Sequence, residues 1–299
     1  MRRRLLGRGA TGGLPYTPLY SIAPFYLGFS AARKLKADYT GFAYLAAKSG
    51  SVTQDIGFNA DGSIDTAALL AFAAGGDAYI NTWYDQSGNG GTMDIIGTTN
   101  APQVVDSGVL ITDVNGLPTV RFGSGNIYLR SNSVVNAALN NKEYGYFFQV
   151  MKQVAATSVY SVPFDMSRNV AGSSRFGIYF NRLTNGRAEF AGRRLNTDGF
   201  QSIQSSVNYP ASQFLLTARA DYATADAYLY FDGTQVATSA SFQTAGATSA
   251  TDSVAVDIGR LSNGALNWEG ESSELLFYND NQAANLSALN SNIQSYYSI

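Results

Sequence analysis

The sequence predicts an all-β protein, an antiparallel β-sandwich with a few short helices and an extended N-terminal arm. Many short segments rich in aromatic and β-branched residues alternate with small or polar ones, as half-buried strands do. Glycine-containing turns separate these segments, and helices are predicted only near the two ends. Aromatic residues make up 13% of the 299 residues and charged residues 14%, which indicates a packed core beneath a surface of hydroxyls and amides.

Residues 1–26 are predicted to form an extended arm, because they hold three of the seven prolines and show no periodicity. Residues 1–36 carry seven basic side chains and no acidic one, whereas the remaining chain carries 13 basic and 22 acidic ones. We expect the arm to lie against the body or, preferably, against a neighbouring subunit of a homo-oligomer. Its anchoring residues are predicted to be Arg2, Arg3, Arg4 and Arg8.

The N-terminal residues do not have the pattern of a secretory signal peptide. Only two leucines separate Arg4 from Gly7, so an apolar run of the required length is missing and we expect no cleaved signal. No stretch approaches the length of a membrane span. Because residues 27–299 are acidic, nucleic acid is not expected as the main partner.

Two segments predict helices. In SIDTAALLAFAAGG, Asp65 is a suitable N-cap and Gly75 a stop after a run of alanine and leucine. The C-terminal segment places four apolar side chains at helical spacing, namely Leu286, Leu289, Ile293 and Tyr297. SAARKLKADY, residues 30–39, is predicted to form a shorter helix.

Most other segments predict strands, in particular EYGYFFQVMKQ, SRFGIYFN, QFLLTARADY, ADAYLYFDG and SVAVDIGR. Asp232-Gly233 gives the strongest hairpin signal, because both residues tolerate the positive φ of a type I′ turn, and Asn185-Gly186 predicts a second hairpin. NWEGESSELLFY is predicted to be an edge or outer strand with glutamates on a solvated face. Residues 30–299 show no internal repeat or linker, which indicates one domain, residues 27–299.

The absence of cysteine and histidine excludes several kinds of chemistry. Disulfides, thiolate zinc sites and cysteine nucleophiles are impossible. Imidazole metal sites and Ser–His catalysis are impossible as well. Any acid–base chemistry must therefore use carboxylates, tyrosine or lysine.

The segment NTWYDQSGNGG carries half of a calcium-loop pattern. Asp85, Ser87 and Asn89 stand at alternate positions before Gly90, but Ile96 occupies the place of the last, bidentate glutamate. The other interpretation is that Asp85 and Asn89 stabilise their own turn through bonds to the backbone. We expect no cofactor, with calcium at this loop as a weak candidate.

The aromatic and amide side chains of the same segment suit sugar binding. Successive strand residues point to opposite faces, so either Trp83 or Tyr84 could be exposed while the other joins the core. The alternative is that both are packing residues. The candidate glycan-binding residues are Trp83, Tyr84, Asp85, Gln86 and Asn89, with Trp268 as a weaker one.

A glycosidase would need two carboxylates at a mechanism-specific separation. Glu189 is a weak candidate for a catalytic residue, because three arginines near it in sequence favour its charged form. Those residues are Arg187, Arg193 and Arg194. The same pattern is typical of a salt-bridged surface residue.

From about residue 31 the chain resembles the catalytic-type domain of the α-L-arabinofuranosidase B family. The resemblance is carried by ARKLKADYTGFA, by the segment from QDIGFNADG to NTWYDQSGNGG, by NGLPTVRF and by the closing strand and helix. It implies a concanavalin A/LamG-like jelly roll. Similar domains occur in phage tail, fibre and other virion proteins.

The chain departs from this family at its catalytic residues. The family's sugar pocket contains a vicinal disulfide, which this chain cannot form. The family's acid is an aspartate in the loop that here reads RLSNGA, residues 260–265, without a carboxylate. Asp257 lies in the preceding strand, and the resemblance places the nucleophile somewhere near Glu189.

The sequence therefore predicts a non-enzymatic structural protein of a bacteriophage virion, as a fibre, tail or decoration component. The jelly roll is expected to bind host-surface glycans, and the arm to dock on other virion proteins. The alternative is an active glycoside hydrolase of the α-L-arabinofuranosidase type that acts on cell-surface polysaccharide.

Overall fold

The computed structural model describes residues 15–48, 52–96, 101–154, 158–167, 174–250, 255–261, 264 and 266–299. Their strands are β1 (Leu27–Ser30), β2 (Tyr44–Lys48), β3 (Val52–Ile56), β4 (Ala78–Tyr84), β5 (Thr92–Asp94), β6 (Gln103–Asp106), β7 (Val109–Leu110), β8 (Val120–Phe122), β9 (Leu129–Ser131), β10 (Tyr144–Gln153), β11 (Ser161–Ser167), β12 (Ser174–Phe180), β13 (Ala188–Gly192), β14 (Gln201–Gln204), β15 (Phe214–Asp221), β16 (Asp226–Phe231), β17 (Thr234–Ser239), β18 (Ala255–Ile258) and β19 (Gly270–Tyr278). Their helices are α1 (Thr66–Ala73), α2 (Ser133–Asn136) and α3 (Leu286–Tyr297).

The strands pair antiparallel and fold over into two packed sheets. The first sheet runs β17-β16-β15-β10-β19, with β1 and β8 beside β19. The second sheet runs β14-β13-β12-β11-β18-β9-β5. Strands β2, β3, β4, β6 and β7 connect the two along one side. The predicted antiparallel β-sandwich is confirmed.

Aromatic side chains from the two sheets meet in the core. Phe147 of β10 contacts Phe164 of β11 with ring centroids 4.4 Å apart, and Phe176 of β12 contacts Phe277 of β19 at 5.5 Å. Each buried Phe contributes roughly 1.5–3 kcal/mol through removal of apolar surface from water. Because side chains alternate along a strand, the residues between these aromatics point to the outer face of each sheet.

The outer face of the first sheet is covered by α3 and by the N-terminal segment. Leu289 and Ile293 of α3 pack in one apolar cluster with Leu19, Phe25 and Tyr278. The second sheet has no such helical cover among the described residues. The outward-pointing residues Tyr179, Glu189 and Asp257 of its central strands are nevertheless buried.

The predicted boundary of the arm at residue 26 is wrong. Leu19, Ala23 and Phe25 are buried against the body, and the Tyr16 hydroxyl donates to the carbonyl oxygen of Lys34 at 2.9 Å. Residues 15–26 thus belong to the folded unit. The predicted anchoring residues Arg2, Arg3, Arg4 and Arg8 lie outside the described residues.

Two of the three predicted helices are confirmed. Asp65 caps α1 by accepting the amide N–H of Ala68 at 2.9 Å, and the helix ends before the left-handed Ala74. The third is wrong, because residues 30–39 form no helix. There the buried guanidinium of Arg33 reaches Glu274 of β19, and this long-range ion pair sets the local conformation.

The Asp232-Gly233 hairpin is confirmed, with φ of 47° and 76° between β16 and β17. Asn185-Gly186 lies in the longer loop that joins β12 and β13, where Gly186 has positive φ. The interpretation of NWEGESSELLFY as an edge or outer strand is wrong. Strand β19 lies between β10 on one side and β1 and β8 on the other, and Glu274 is buried.

Candidate functional site

The loop after β4 is a structural turn that fastens β1. Asp85 is buried, and its Oδ1 accepts the backbone N–H groups of Gly28 at 2.7 Å and Ser87 at 3.0 Å. Its Oδ2 accepts the hydroxyl of Ser87. Burial raises the pKa of Asp85, and the hydrogen bonds partly oppose that shift. The structure thus agrees with the interpretation that Asp85 stabilises its own turn.

The metal candidate Asp85, Ser87 and Asn89 is not arranged as a calcium loop, because both oxygens of Asp85 accept hydrogen bonds from protein donors. The side chain of Asn89 donates to the carbonyl oxygen of Tyr26 at 2.9 Å instead of turning inward. Over the described ranges, no group of three or more carboxylates is arranged to hold a metal ion.

Both tryptophans are buried, so the prediction that they stack on sugars is wrong. Trp83 has no exposed surface and packs on Phe29 with ring centroids 5.9 Å apart. Trp268 packs on Phe122 at 5.3 Å, and its indole N–H donates to Gln153. Neither indole has a face that solvent can reach.

Gln86 and Asp85 are also wrong as glycan ligands. The side chain of Gln86 is buried, where it accepts from the N–H of Leu35 at 2.7 Å and donates to the carbonyl of Arg33 at 3.3 Å. Tyr84 is half-buried and donates to Asp55 at 3.0 Å, and Asn89 is exposed. Glycan contact at Tyr84 and Asn89 stays a prediction.

The outer face of the second sheet carries a different polar group, which we call the outer carboxylate cluster. It consists of three fully buried carboxylates and the arginines beside them: Asp165, Glu189, Asp257, Arg130, Arg182 and Arg260. Asp165 of β11 and Asp257 of β18 are direct cross-strand partners. Two like charges in such a pair repel unless cations lie next to them.

Two arginines hold Asp257. Arg130 makes a two-pronged contact, from Nε to Oδ1 and from Nη2 to Oδ2, both at 2.7 Å. Arg260 adds a bond from Nε to Oδ2 at 3.1 Å and lies over the ring of Tyr128 at 3.1 Å. The hydrogen bonds to Asp257 raise the pKa of Arg130, and Asp165 adds to that effect. Paired bonds of this geometry are strong and directional.

Glu189 of β13 is held by a separate set of donors. The Nε of Arg182 donates to Oε2 at 2.8 Å, and the backbone N–H of Leu183 donates to Oε1 at 3.1 Å. Gln204 donates to the same Oε1 at 3.4 Å. The guanidinium of Arg182 lies 5.0 Å from the ring of Phe200. Both carboxylate oxygens of Glu189 thus have protein partners.

Tyr160 lies near Glu189 and Asp165. Burial raises its pKa to about 12, Arg182 opposes the shift, and Glu189 and Asp165 add to it. Its ring contacts Tyr179, which lies in an apolar cluster with Leu261 and Phe200 on the same outer face. The outer carboxylate cluster therefore combines fixed hydrogen-bonding groups with aromatic rings.

The sequence interpretation missed most of this cluster. It singled out Glu189, and named Asp257 only as a strand residue that could not replace the family's acid, but it did not name Asp165, Arg130, Arg182 or Arg260. A usable signal was present, because VPFDMS and VAVDIG each place one aspartate in the middle of an apolar strand. Such a carboxylate is costly to bury without a charged partner, which makes it a marker of a built site.

No family model matches the chain, and no curated protein matches it. A GH54 α-L-arabinofuranosidase soaked with a cyclic sulfate inhibitor is similar in structure, with 15% identity and a TM-score of 0.64. An arabinofuranosidase complexed with arabinofuranosyl-α-1,2-xylobiose has 17% identity and a TM-score of 0.63. In both comparisons 90% of this chain is covered, and it spans 62% of the length of the other chain.

A botulinum neurotoxin serotype D binding domain is also similar, with 10% identity, a TM-score of 0.52 and coverage of 94% of this chain and 52% of that one. These likenesses show the fold. They confirm the β-sandwich that the sequence resemblance implied, over 90% of the chain for the arabinofuranosidases. No helix in the described part of the chain is long and apolar enough to cross a membrane.

Proposed function

We propose that this protein is a non-enzymatic, glycan-binding jelly-roll component of a bacteriophage virion. The observation that carries the binding role is the outer carboxylate cluster. Sugar hydroxyls both donate and accept, so a surface with fixed carboxylate–arginine pairs and adjacent rings suits them. The solved structures with the same fold include arabinofuranosidases, one of them bound to an arabinofuranosyl saccharide.

The state of Glu189 supports binding without hydrolysis. A nucleophilic carboxylate must reach the sugar, whereas the side chain of Glu189 is 1% exposed and both its oxygens accept protein hydrogen bonds. Asp257 is equally occupied by Arg130 and Arg260. The parts of the cluster that solvent reaches are Arg130 and Arg182, with side chains 24% exposed.

The second candidate is a glycoside hydrolase, and one observation favours it. Glu189 of β13 and Asp165 of β11 lie on the same face, with β12 between their strands and an offset of two residues along the strand direction. This arrangement puts their Cα atoms roughly 12 Å apart. Side chains of that reach could approach the carboxyl separations of roughly 5–9.5 Å that glycosidases use.

The test is to incubate the purified protein with an aryl α-L-arabinofuranoside and with arabinan and host cell-wall polysaccharide. We expect binding and no release of aryl alcohol or sugar. Release that Glu189→Gln abolishes would establish the hydrolase instead. If the folded protein bound none of these glycans, only a structural role would remain.

The virion role has its own test. The basic residues Arg2, Arg3, Arg4 and Arg8 are proposed to dock the protein on acidic surfaces of neighbouring virion proteins. Because residues 15–26 are part of the folded body, the informative deletion is residues 1–14. We expect the shortened protein to fold and to be missing from purified particles, and its incorporation at the normal level would contradict docking through the arm.

A further inference from the structure

A groove lies between the tip of the β16–β17 hairpin and helix α3, and we call it the helix–hairpin groove. It encloses about 370 Å³ and is open to solvent. Its walls include Tyr230, Gly233, Thr234, Ser287, Asn290 and Gln294. It lies beside the first sheet, on the opposite side of the sandwich from the outer carboxylate cluster.

The walls of the groove are fixed before any ligand binds. Asp232 accepts the N–H of Leu215 at 2.8 Å, which ties the hairpin tip to β15. The hydroxyl of Thr217 donates to Oδ1 of Asn290 at 3.0 Å, which orients the amide of Asn290. A groove built from such fixed walls loses little entropy when it binds a ligand.

The Asn290 amide lies at the wall of the groove. Asn290 is 6% exposed, and its Oδ1 accepts the hydroxyl of Thr217. A Cβ built on Gly233 would lie 3.7 Å from this Nδ2 and 3.6 Å from Oε1 of Gln294, so both amides border the hairpin tip. The Nδ2 group of Asn290 can therefore donate to an acceptor on a ligand in the groove.

The remaining groups define the class of ligand. The exposed hydroxyls of Ser287 and Ser291 line the groove next to the ring of Tyr230, and no lysine or arginine is among its lining residues. The nearby cation Arg219 is already paired with Asp221 at 3.0 Å. Hydroxyls, amides, one ring face and the carboxylate of Asp232, without a cation, fit a neutral sugar and disfavour an anionic one.

We propose that the helix–hairpin groove is a second saccharide-binding site, which takes a neutral monosaccharide or disaccharide unit of a glycan. This proposal rests on the proposed function only because both assign glycan binding to the protein. The groove and the outer carboxylate cluster share no residue. Two sites on opposite sides of the sandwich would let one molecule hold two glycan chains, which increases avidity without a new contact.

The test is saturation-transfer NMR with maltose, cellobiose, lactose and methyl α-L-arabinofuranoside, and with sialyllactose as the anionic probe. Ser291→Trp fills the groove from an exposed helix position, and Ser295→Trp is the matched control on the same helix outside the lining. We expect transfer to at least one neutral sugar, a loss of at least tenfold in affinity for Ser291→Trp, and no loss for Ser295→Trp.

Several results would overturn this second site. One is the absence of saturation transfer to every neutral sugar. The others are saturation transfer that Ser291→Trp leaves unchanged and tighter binding of sialyllactose than of the neutral sugars. A change in oligomeric state caused by Ser291→Trp, seen by light scattering, would instead make the groove an interface. Loss of binding in Arg130→Gln alone would support the outer carboxylate cluster and reject the groove, so the two sites fail separately.

Discussion

Arg182 and Glu189 form an ion pair with an Nε–Oε2 distance of 2.8 Å on the outer face of the second sheet. The carboxylate is 1% exposed and the arginine 24%, so the pair fixes a guanidinium at the edge of solvent. This geometry supports a positioning role of Glu189 toward Arg182.

Replacement of Glu189 should therefore affect stability more than catalysis. Glu189→Ala removes the acceptor for Arg182 and for the N–H of Leu183, and we expect a loss of about 2–4 kcal/mol in the free energy of unfolding. Glu189→Gln keeps one acceptor and should lose less. Urea denaturation of the three proteins measures both values, and equal stability of all three would contradict the positioning role.

Arg33 and Glu274 form the most buried ion pair of the described residues, with both side chains 1% exposed and two N–O distances of 2.8 Å. Arg33→Ala leaves a buried carboxylate without its cation, and we expect a loss of about 3–5 kcal/mol in the free energy of unfolding. The double variant Arg33→Met, Glu274→Leu should lose much less than the sum of the single variants. Additive losses in this cycle would show that the pair is not coupled.

The burial of Asp85 predicts that the free energy of unfolding depends on pH. Burial raises its pKa in the folded protein, so the folded state binds the proton more tightly than the unfolded state. Its stabilising contribution is then complete below the unfolded pKa of about 4 and decreases as the pH rises through the folded pKa. Relative to Asp85→Asn, which does not titrate, wild-type stability should fall as the pH is raised from about 4 to 7.

Urea unfolding of both proteins at a series of pH values measures this difference. A wild-type stability that rises with pH relative to Asp85→Asn would contradict the prediction. Asp85→Ala provides the structural control. It leaves the N–H groups of Gly28 and Ser87 without their acceptor, and we expect it to cost about 2–4 kcal/mol relative to the wild type near pH 4 and less as the pH rises.

Local sequence signals predicted the parts of the fold that short-range physics decides. Asp232-Gly233 forms its hairpin because both residues tolerate positive φ, and Asp65 caps α1 because its side chain reaches the N–H three residues ahead. The segment around Arg33 was predicted as a helix on composition. Its conformation depends on Glu274, a residue 241 positions away, which no local pattern contains.

The candidate site was harder to predict, because it too depends on contacts between residues that are distant in sequence. Trp83 was an attractive sugar-binding residue, but which side of β4 faces the core is decided by packing on Phe29 and not by alternation alone. Asp165 and Asp257 meet because β11 and β18 pair, and that pairing joins distant parts of the chain. Their isolated positions in apolar strands were the only sequence signal for the cluster.

The most direct test follows arabinan oligosaccharides by ligand-observed NMR in the presence of the Ser291→Trp protein, in which the helix–hairpin groove is filled. Binding broadens the ligand signals, and hydrolysis produces new anomeric signals. We expect broadening, no new anomeric signals, and at least tenfold weaker binding when Arg130→Gln is added, while the control Arg121→Gln on the first sheet has no effect. New anomeric signals, or broadening that Arg130→Gln leaves unchanged, would contradict glycan binding without hydrolysis at the outer carboxylate cluster.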